Sequence, residues 1–300
     1  MRPVLFAGLI ILALLLAGCG ATPEPTKAPV IVPTQAPTAE PTKAPAGLSG
    51  RLSLAGSTTV QPLAEKLAEE FMKLNPGLTI EVQGGGSSVG VTSAGEGTVD
   101  IGMASRAVKD SELAKFPDLQ VFTIARDGIA IVTNPGIQLP GLSVEQVRSI
   151  FAGEITNFAE VGGPDAPITV ISREEGSGTR AAFEELVMEY KDAAGEKQTK
   201  LITDKALLQQ SNGQVRTAVA TTPNTIAYLS FGFLDSSVAP VTIDGVAPTV
   251  DNVRNGKYPI SRPLNMLTKG APNPLAQAFL DYILSNAGQE IVAEDYVRVK

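Results

Sequence analysis

No histidine and no tryptophan occur in the chain, and cysteine occurs once, at Cys19. Without histidine, every Ser-His and Cys-His mechanism is excluded, together with most zinc sites. Positive charge is in deficit. The formal net charge is −7, which argues against nucleic acid as a partner. Any anion must then be held by local groups and not by the overall field. Acidic residues form no cluster with calcium-loop spacing, so neither a metal nor a cofactor is expected. What the chain does have is length and apolar content. Its 300 residues, 43% hydrophobic and 18% charged, suffice for one large domain or two medium ones.

The lone cysteine ends an apolar run, "VLFAGLIILALLLAGCG". Residues 4–17 are short for a membrane span and have the length of a signal-peptide core. The run resembles a bacterial lipoprotein signal, with Leu16-Ala17-Gly18-Cys19 as its lipobox. It implies a leader over 1–18 and a lipid on the Cys19 thiol that anchors the protein outside the cytoplasm. The only basic residue ahead of the run is Arg2. Prolines then recur at every fourth position from Pro25 to Pro45, between Thr, Ala and Lys. Such a segment builds no core and favours extended polyproline II, at ~3.1 Å per residue a reach of up to ~90 Å. Residues 19–49 therefore read as a lipidated tether.

From Arg51 the pattern is that of a folded α/β protein. "RLSLAGS" alternates like a strand. The next segment places Leu63, Leu67, Phe71 and Leu74 on one helical face, with Pro62 in its first turn and Asn75-Pro76-Gly77 as its stop. "LTIEVQ" and "VDIGMAS" read as strands separated by a glycine turn and a short helix. This rhythm predicts a parallel sheet. A long strand, "IAIVTNP", follows Gly128. Then come a helix over 143–151, the strand "ITVIS", the helix "TRAAFEELVMEY", a strand in "PLNMLTKG", and closing helices through Tyr282 and Ile291. Two α/β lobes result, the second inserted into the first, with crossings near 126–130 and 260–265.

Three turns carry the chemistry: Gly56-Ser57-Thr58-Thr59, Gly84-Gly85-Gly86-Ser87-Ser88 and Gly176-Ser177-Gly178-Thr179. Each leads a strand into a helix and sets N–H groups and hydroxyls at the helix N-terminus, where an anion is favoured. One such turn is an ordinary cap. Three, with arginines nearby, point to one shared small oxyanion. Arg173 offers a planar fork of donors, and Arg106 is a second cation or a partner for Asp100 or Asp110. Glu175 is placed either to hold Arg173 or to sit in solvent. Other chemistries fit less well. No P-loop lysine follows "GGGSSVG", and a serine nucleophile at Ser177 would have only Lys191, far along the following helix, as its base. An enzyme is not expected.

Taken together, "SLAGSTTVQPLAEKLAEEF", "VQGGGSSVG", "GTVDIGMASR", "IFAGEITNFAEVGG", "SREEGSGTR" and "KYPISRPLNMLTKG" resemble the substrate-binding proteins of bacterial phosphate ABC transporters, from Gly50 to Lys300. The resemblance implies a type II periplasmic-binding-protein fold, each lobe a mixed sheet flanked by helices, with the ligand cleft between the lobes. Lobe 1 would comprise 50–128 plus 263–300, and lobe 2 would comprise 129–262. It implies capture of inorganic phosphate and delivery to an ABC permease; a monomer is expected. Carried over by position, Thr58, Thr59 and Ser87 bind from the first lobe, and Arg173, Ser177, Gly178 and Thr179 from the second, with Ser57 and Ser88 as neighbours. Glu175 would pair with Arg173. Phe158 stands where relatives often carry tryptophan, a packing difference. Some relatives carry an aspartate where this chain has Arg106. That aspartate accepts the phosphate proton, and facing sulfate it would stay unpaired at ~1–3 kcal/mol or more. Here Asp100, Glu175 or a backbone carbonyl would have to serve. Two other readings stay open: a receptor for sulfate, molybdate or tungstate, and a lipoprotein of this fold used in signalling or adhesion.

Overall fold

A computed structural model describes residues 47–299. The expected leader, Cys19 and the tether up to residue 46 lie outside the described residues. The first half-molecule begins with β1 (Ser49–Gly56), α1 (Gln61–Leu74), β2 (Gly77–Gln83), α2 (Ser87–Glu96), β3 (Ile101–Ala104) and α3 (Asp110–Lys115). α1 buries Leu63, Ala64, Leu67, Ala68 and Phe71, the face its period dictates. Leu74, expected on that face, is 67% exposed, because it is the last helical residue and the chain turns away at Asn75.

β4 (Leu119–Thr133) is one 15-residue strand, starting well before Gly128. It is followed by α4 (Val144–Phe151), β5 (Thr169–Arg173) and α5 (Gly178–Phe183). Ser143 caps α4, its hydroxyl accepting the Gln146 N–H while the Gln146 side chain returns to the Ser143 N–H. The helix expected over "TRAAFEELVMEY" is shorter than its pattern. α5 widens into a π-turn at Glu184–Met188 and passes into β6 (Glu189–Lys191), which pairs with β7 (Lys197–Thr199). Arg148 Nε donates to the Val187 carbonyl at 2.7 Å and satisfies a group that the widened turn frees. The chain continues through β8 (Leu207–Gln209), α6 (Asn212–Thr221), β9 (Thr225–Ser230), β10 (Ala239–Pro240), α7 (Val250–Arg254), β11 (Ser261–Lys269), α8 (Pro274–Ile283) and α9 (Asn286–Val292).

One sheet runs β2-β1-β3-β11-β4-β9-β5-β8. β1 is parallel to β2 and β3, and β5 is parallel to β8 and β9, whereas β11 and β4 are antiparallel to each other and to β3 and β9 respectively. The sheet serves two large cores, with a smaller cluster of Val91, Ala94, Ala104, Leu119 and Leu267 beside them. Leu52, Leu54, Leu67, Phe71 and Phe279 belong to one, and Ile131, Phe151, Phe158, Phe183 and Tyr228 to the other. In the second, the Phe183 and Tyr228 rings stack 4.1 Å apart at 10°. β4 contributes Ile124 and Ala125 to the first core and Ile129–Val132 to the second. Ile260 and Leu264 divide the same way at the entry to β11. The chain crosses between cores on this pair of strands.

The turn of α2 against β3 depends on glycine. A Cβ on Gly90 would lie 2.1 Å from the Met103 carbonyl oxygen, so no side chain fits there without moving backbone. Gly90→Ala is expected to cost about 1–3 kcal/mol in urea unfolding, and to shift Ser87 at the helix start with it.

Candidate functional site

The three glycine turns meet at one place. Each requires a positive φ that favours glycine, +135° at Gly56, +91° at Gly86 and +85° at Gly176. The two turns of the first half are joined by Gly86 N–H donating to the Gly56 carbonyl at 2.9 Å. Across the cleft, Ser88 N–H donates to the Gly176 carbonyl at 3.1 Å, and the Thr59 and Thr179 hydroxyls lie 3.1 Å apart. A Cβ on Gly178 would stand 2.0 Å from Ser87 Oγ, so glycine is what lets the halves close to this distance. Ser57, Thr58, Thr59, Ser87, Ser88, Arg173, Ser177, Gly178 and Thr179 are thereby gathered into one cluster. Ser177 Oγ accepts the Arg180 N–H at 3.2 Å and caps α5. Gly178 and Thr179, in the first turn, keep N–H groups without an intrahelical acceptor.

Arg173, at the end of β5, is buried. Its Nε and Nη2 donate to the two oxygens of Glu174, both at 2.9 Å. Nη2 also reaches Thr58 Oγ1 at 3.2 Å, and Nε the Gln209 carbonyl at 3.1 Å. Nη1 is buried with no hydrogen-bond acceptor among the described residues. The expected partner, Glu175, is not the one used. Glu174 still follows the strand and lies beside the guanidinium, whereas Glu175 sits exposed at the tip of the turn.

Arg106 is likewise buried, and pairs with neither Asp100 nor Asp110. Its Nη1 and Nη2 fork onto Glu112 at 2.7 Å each, and Nη2 reaches Ser88 Oγ at 3.3 Å. Asp100 lies outside the cluster. It accepts from Ser53 N–H and Ser53 Oγ at 2.8 Å each, and from Asn273 Nδ2 at 2.8 Å, fastening β1 to the start of α8. It directly precedes β3, and its own N–H donates to the Ser53 carbonyl of β1 at 3.1 Å. Burial works to raise the Glu112 carboxyl, but hydrogen bonds from Arg106 and from the Lys109 N–H outweigh it and hold the group below the usual glutamate range.

Sequence reasoning missed a third buried pair. Arg262 Nε and Nη2 donate to Asp127 Oδ2 at 3.0 and 2.8 Å where β11 crosses β4. Burial pushes the Asp127 carboxyl up and the Arg262 guanidinium down, and their mutual attraction offsets this only in part. Two buried partners of the cluster were missed too: Ser105, whose Oγ accepts from Ser57 Oγ at 2.9 Å, and Asn212, whose Nδ2 donates to Thr59 Oγ1 at 2.8 Å. The one available signal was a charged residue of each sign at the two expected crossings. Among the described residues no group of three or more His, Cys, Asp or Glu is placed to hold a metal ion. No described helix is long and apolar enough to cross a membrane.

Residues 36–287 match the model of the PBP superfamily domain. Phosphate-binding protein PstS of Bacillus subtilis is 36% identical over 248 residues, 82% of this chain and 79% of its own length. PstS of Borreliella burgdorferi is 29% identical over 248 residues, 81% of this chain and 88% of its own. Among solved structures, a phosphate ABC transporter substrate-binding protein from Clostridium perfringens with bound phosphate superposes with a TM-score of 0.77 at 40% identity, covering 84% of this chain and 100% of that one. An ABC-type phosphate transport receptor from Vibrio cholerae gives 0.68 at 32%, covering 82% and 99%.

The lowered Glu112 carboxyl makes a pH prediction. Its pair with Arg106 contributes stability above the ordinary glutamate value of about 4.3 and loses it as pH falls through the lower folded value. Glu112→Gln should therefore be less stable than the parent at pH 7, by about 1–3 kcal/mol, and the gap should close in denaturant titrations as pH falls below the ordinary glutamate range.

Proposed function

The chain belongs to the PBP superfamily and, within it, to the phosphate-binding proteins that serve ABC transporters, and on that premise we propose that it captures inorganic phosphate outside the cytoplasm and delivers it to an ABC permease. The observation that carries this reading is the Arg173 guanidinium. It is buried and neutralised by Glu174, yet one arm, Nη1, has no acceptor among the described protein atoms. A buried donor of that kind calls for an oxygen ligand. Around it stand the hydroxyls of Thr58, Thr59, Ser87 and Thr179 and the first N–H groups of α5, a set of donors suited to a tetrahedral dianion. Ser57, Ser88 and Ser177 brace these groups.

In this reading the lobes are 50–128 plus 263–300 and 129–262, and they close about the β4 and β11 crossing. Each supplies part of the site, so phosphate stabilises the closed form by its preference for it. No bond is made or broken. Ser177 has no base: its hydroxyl caps α5, and Lys191 lies beyond the π-turn on β6. The protein works as a monomer, held to the membrane by a lipid on Cys19 and spaced from it by the proline tether.

Arg173→Ala tests the assignment. Phosphate affinity should fall about ten- to a hundredfold by equilibrium dialysis, the loss expected when a charged donor of about 1.5–3 kcal/mol is removed from a buried site. Unchanged affinity in a folded variant would falsify it.

A further inference from the structure

After α9 the chain runs back over β4 as a short tail, residues 296–299. Tyr296 is buried in the core of the first half and Val297 in that of the second, so the tail passes between the cores within one peptide bond. It is fastened on both sides of that step. Val297 exchanges two backbone hydrogen bonds with Arg126, each 2.9 Å. On β11 the register partner of Arg126 is Pro263, which has no N–H to give, and the Arg126 backbone turns to the tail instead. Next to it the register of β4 and β11 slips. Ala125 faces Leu264 and Thr123 faces Asn265, which leaves Ile124 without a partner. Its carbonyl accepts from Nε2 of the buried Gln289 at 3.1 Å, while Gln289 Oε1 accepts the Val299 N–H at 2.9 Å.

Tyr296 carries this anchorage to the site. Its phenol donates to the Thr59 carbonyl at 3.4 Å. The rest of Thr59 is held by other elements. Its N–H goes to Ser57 Oγ at 3.2 Å, and its hydroxyl accepts from Asn212 Nδ2 at 2.8 Å and lies 3.1 Å from that of Thr179. Burial pushes the Tyr296 phenol above the usual tyrosine range, so it keeps its proton and remains a donor. On its other side the phenol meets Gly232, where a Cβ would lie 2.2 Å from the oxygen. The Gly232 backbone does not need glycine, since its φ is not positive; the space taken by the phenol does. Gly232 is itself fixed to the second half. The neighbouring Phe231 belongs to that core, and its ring covers Gly128 of β4, where a Cβ would come within 2.4 Å of it.

We infer that the tail is a third connection between the halves, beside β4 and β11, and that Tyr296 is a positioning residue for anion capture. Wedged between Thr59 of one half and Gly232 of the other, its phenol sets the angle at which the halves meet around the anion. The inference rests on the phosphate reading above and adds to it the residue that sets closure. A group in that place acts on the closed form. Its loss speeds release of the anion and leaves capture by the open form unchanged.

Calorimetric titration and stopped-flow release of phosphate from the purified full-length protein test this on Gly232→Ala, Tyr296→Leu and the two together. The methyl of the first displaces the phenol, and the second vacates the space. Each should bind phosphate about tenfold more weakly, through a faster dissociation rate with the association rate unchanged. The double variant should bind no more weakly than Tyr296→Leu alone, because Gly232 acts through the phenol. Additive losses, or an unchanged dissociation rate, overturn the inference and leave the phosphate reading in place. No phosphate binding by the parent overturns both. A merely structural role would lower the bound stoichiometry and leave the dissociation rate of the folded fraction as it was. If Tyr296→Leu does not fold, Tyr296→Phe keeps the ring and removes only the bond to Thr59. Its dissociation rate should rise several-fold, and an unchanged rate overturns the inference.

Discussion

Arginine is buried in this protein where a carboxylate lies in the plane of its fork. Arg106, Arg173 and Arg262 are each at most 3% exposed, and each donates to one carboxylate, Glu112, Glu174 and Asp127. An unpaired charge at such depth costs several kcal/mol. Once neutralised, each guanidinium still has directed N–H groups to place. Those remaining donors reach Ser88, Thr58, Thr59 and Ser105, the hydroxyls of the cleft. The site is thus built from oriented dipoles, with little net charge, in a chain whose overall charge is negative.

The same crossing that joins the two cores also holds the site. β4 and β11 run antiparallel from Ser261 opposite Gly128 to Lys269 opposite Leu119. Asp127 and Arg262 stand opposite each other in that register, at the point where the strands leave one core for the other. Any relative motion of the halves in the proposed closure must turn about this pair.

Much of this was legible in the sequence. The glycine turns and helix starts declared themselves because Gly56, Gly86 and Gly176 need backbone angles that other residues resist, and because Ser and Thr follow them. The apolar period of α1 was readable to Phe71, and failed only at Leu74, where the helix end removes its partner face. Pairings across long sequence separations were not readable. Glu174 and Glu175 are equivalent in a string of letters, and only the turn decides which one meets Arg173. Asn212 and Ser105 carry no local pattern at all, since their roles arise from what the fold brings beside them. The π-turn after α5 was hidden for the opposite reason: "FEELVM" reads as an unbroken helix, and Arg148 from another element makes the irregular turn stable.

The most direct measurement is a crystal structure grown with phosphate. The account predicts an anion between the two halves, within hydrogen-bonding distance of Arg173 Nη1 and of the Ser87 and Thr179 hydroxyls. An anion bound elsewhere, with Arg173 Nη1 facing only protein, would contradict it.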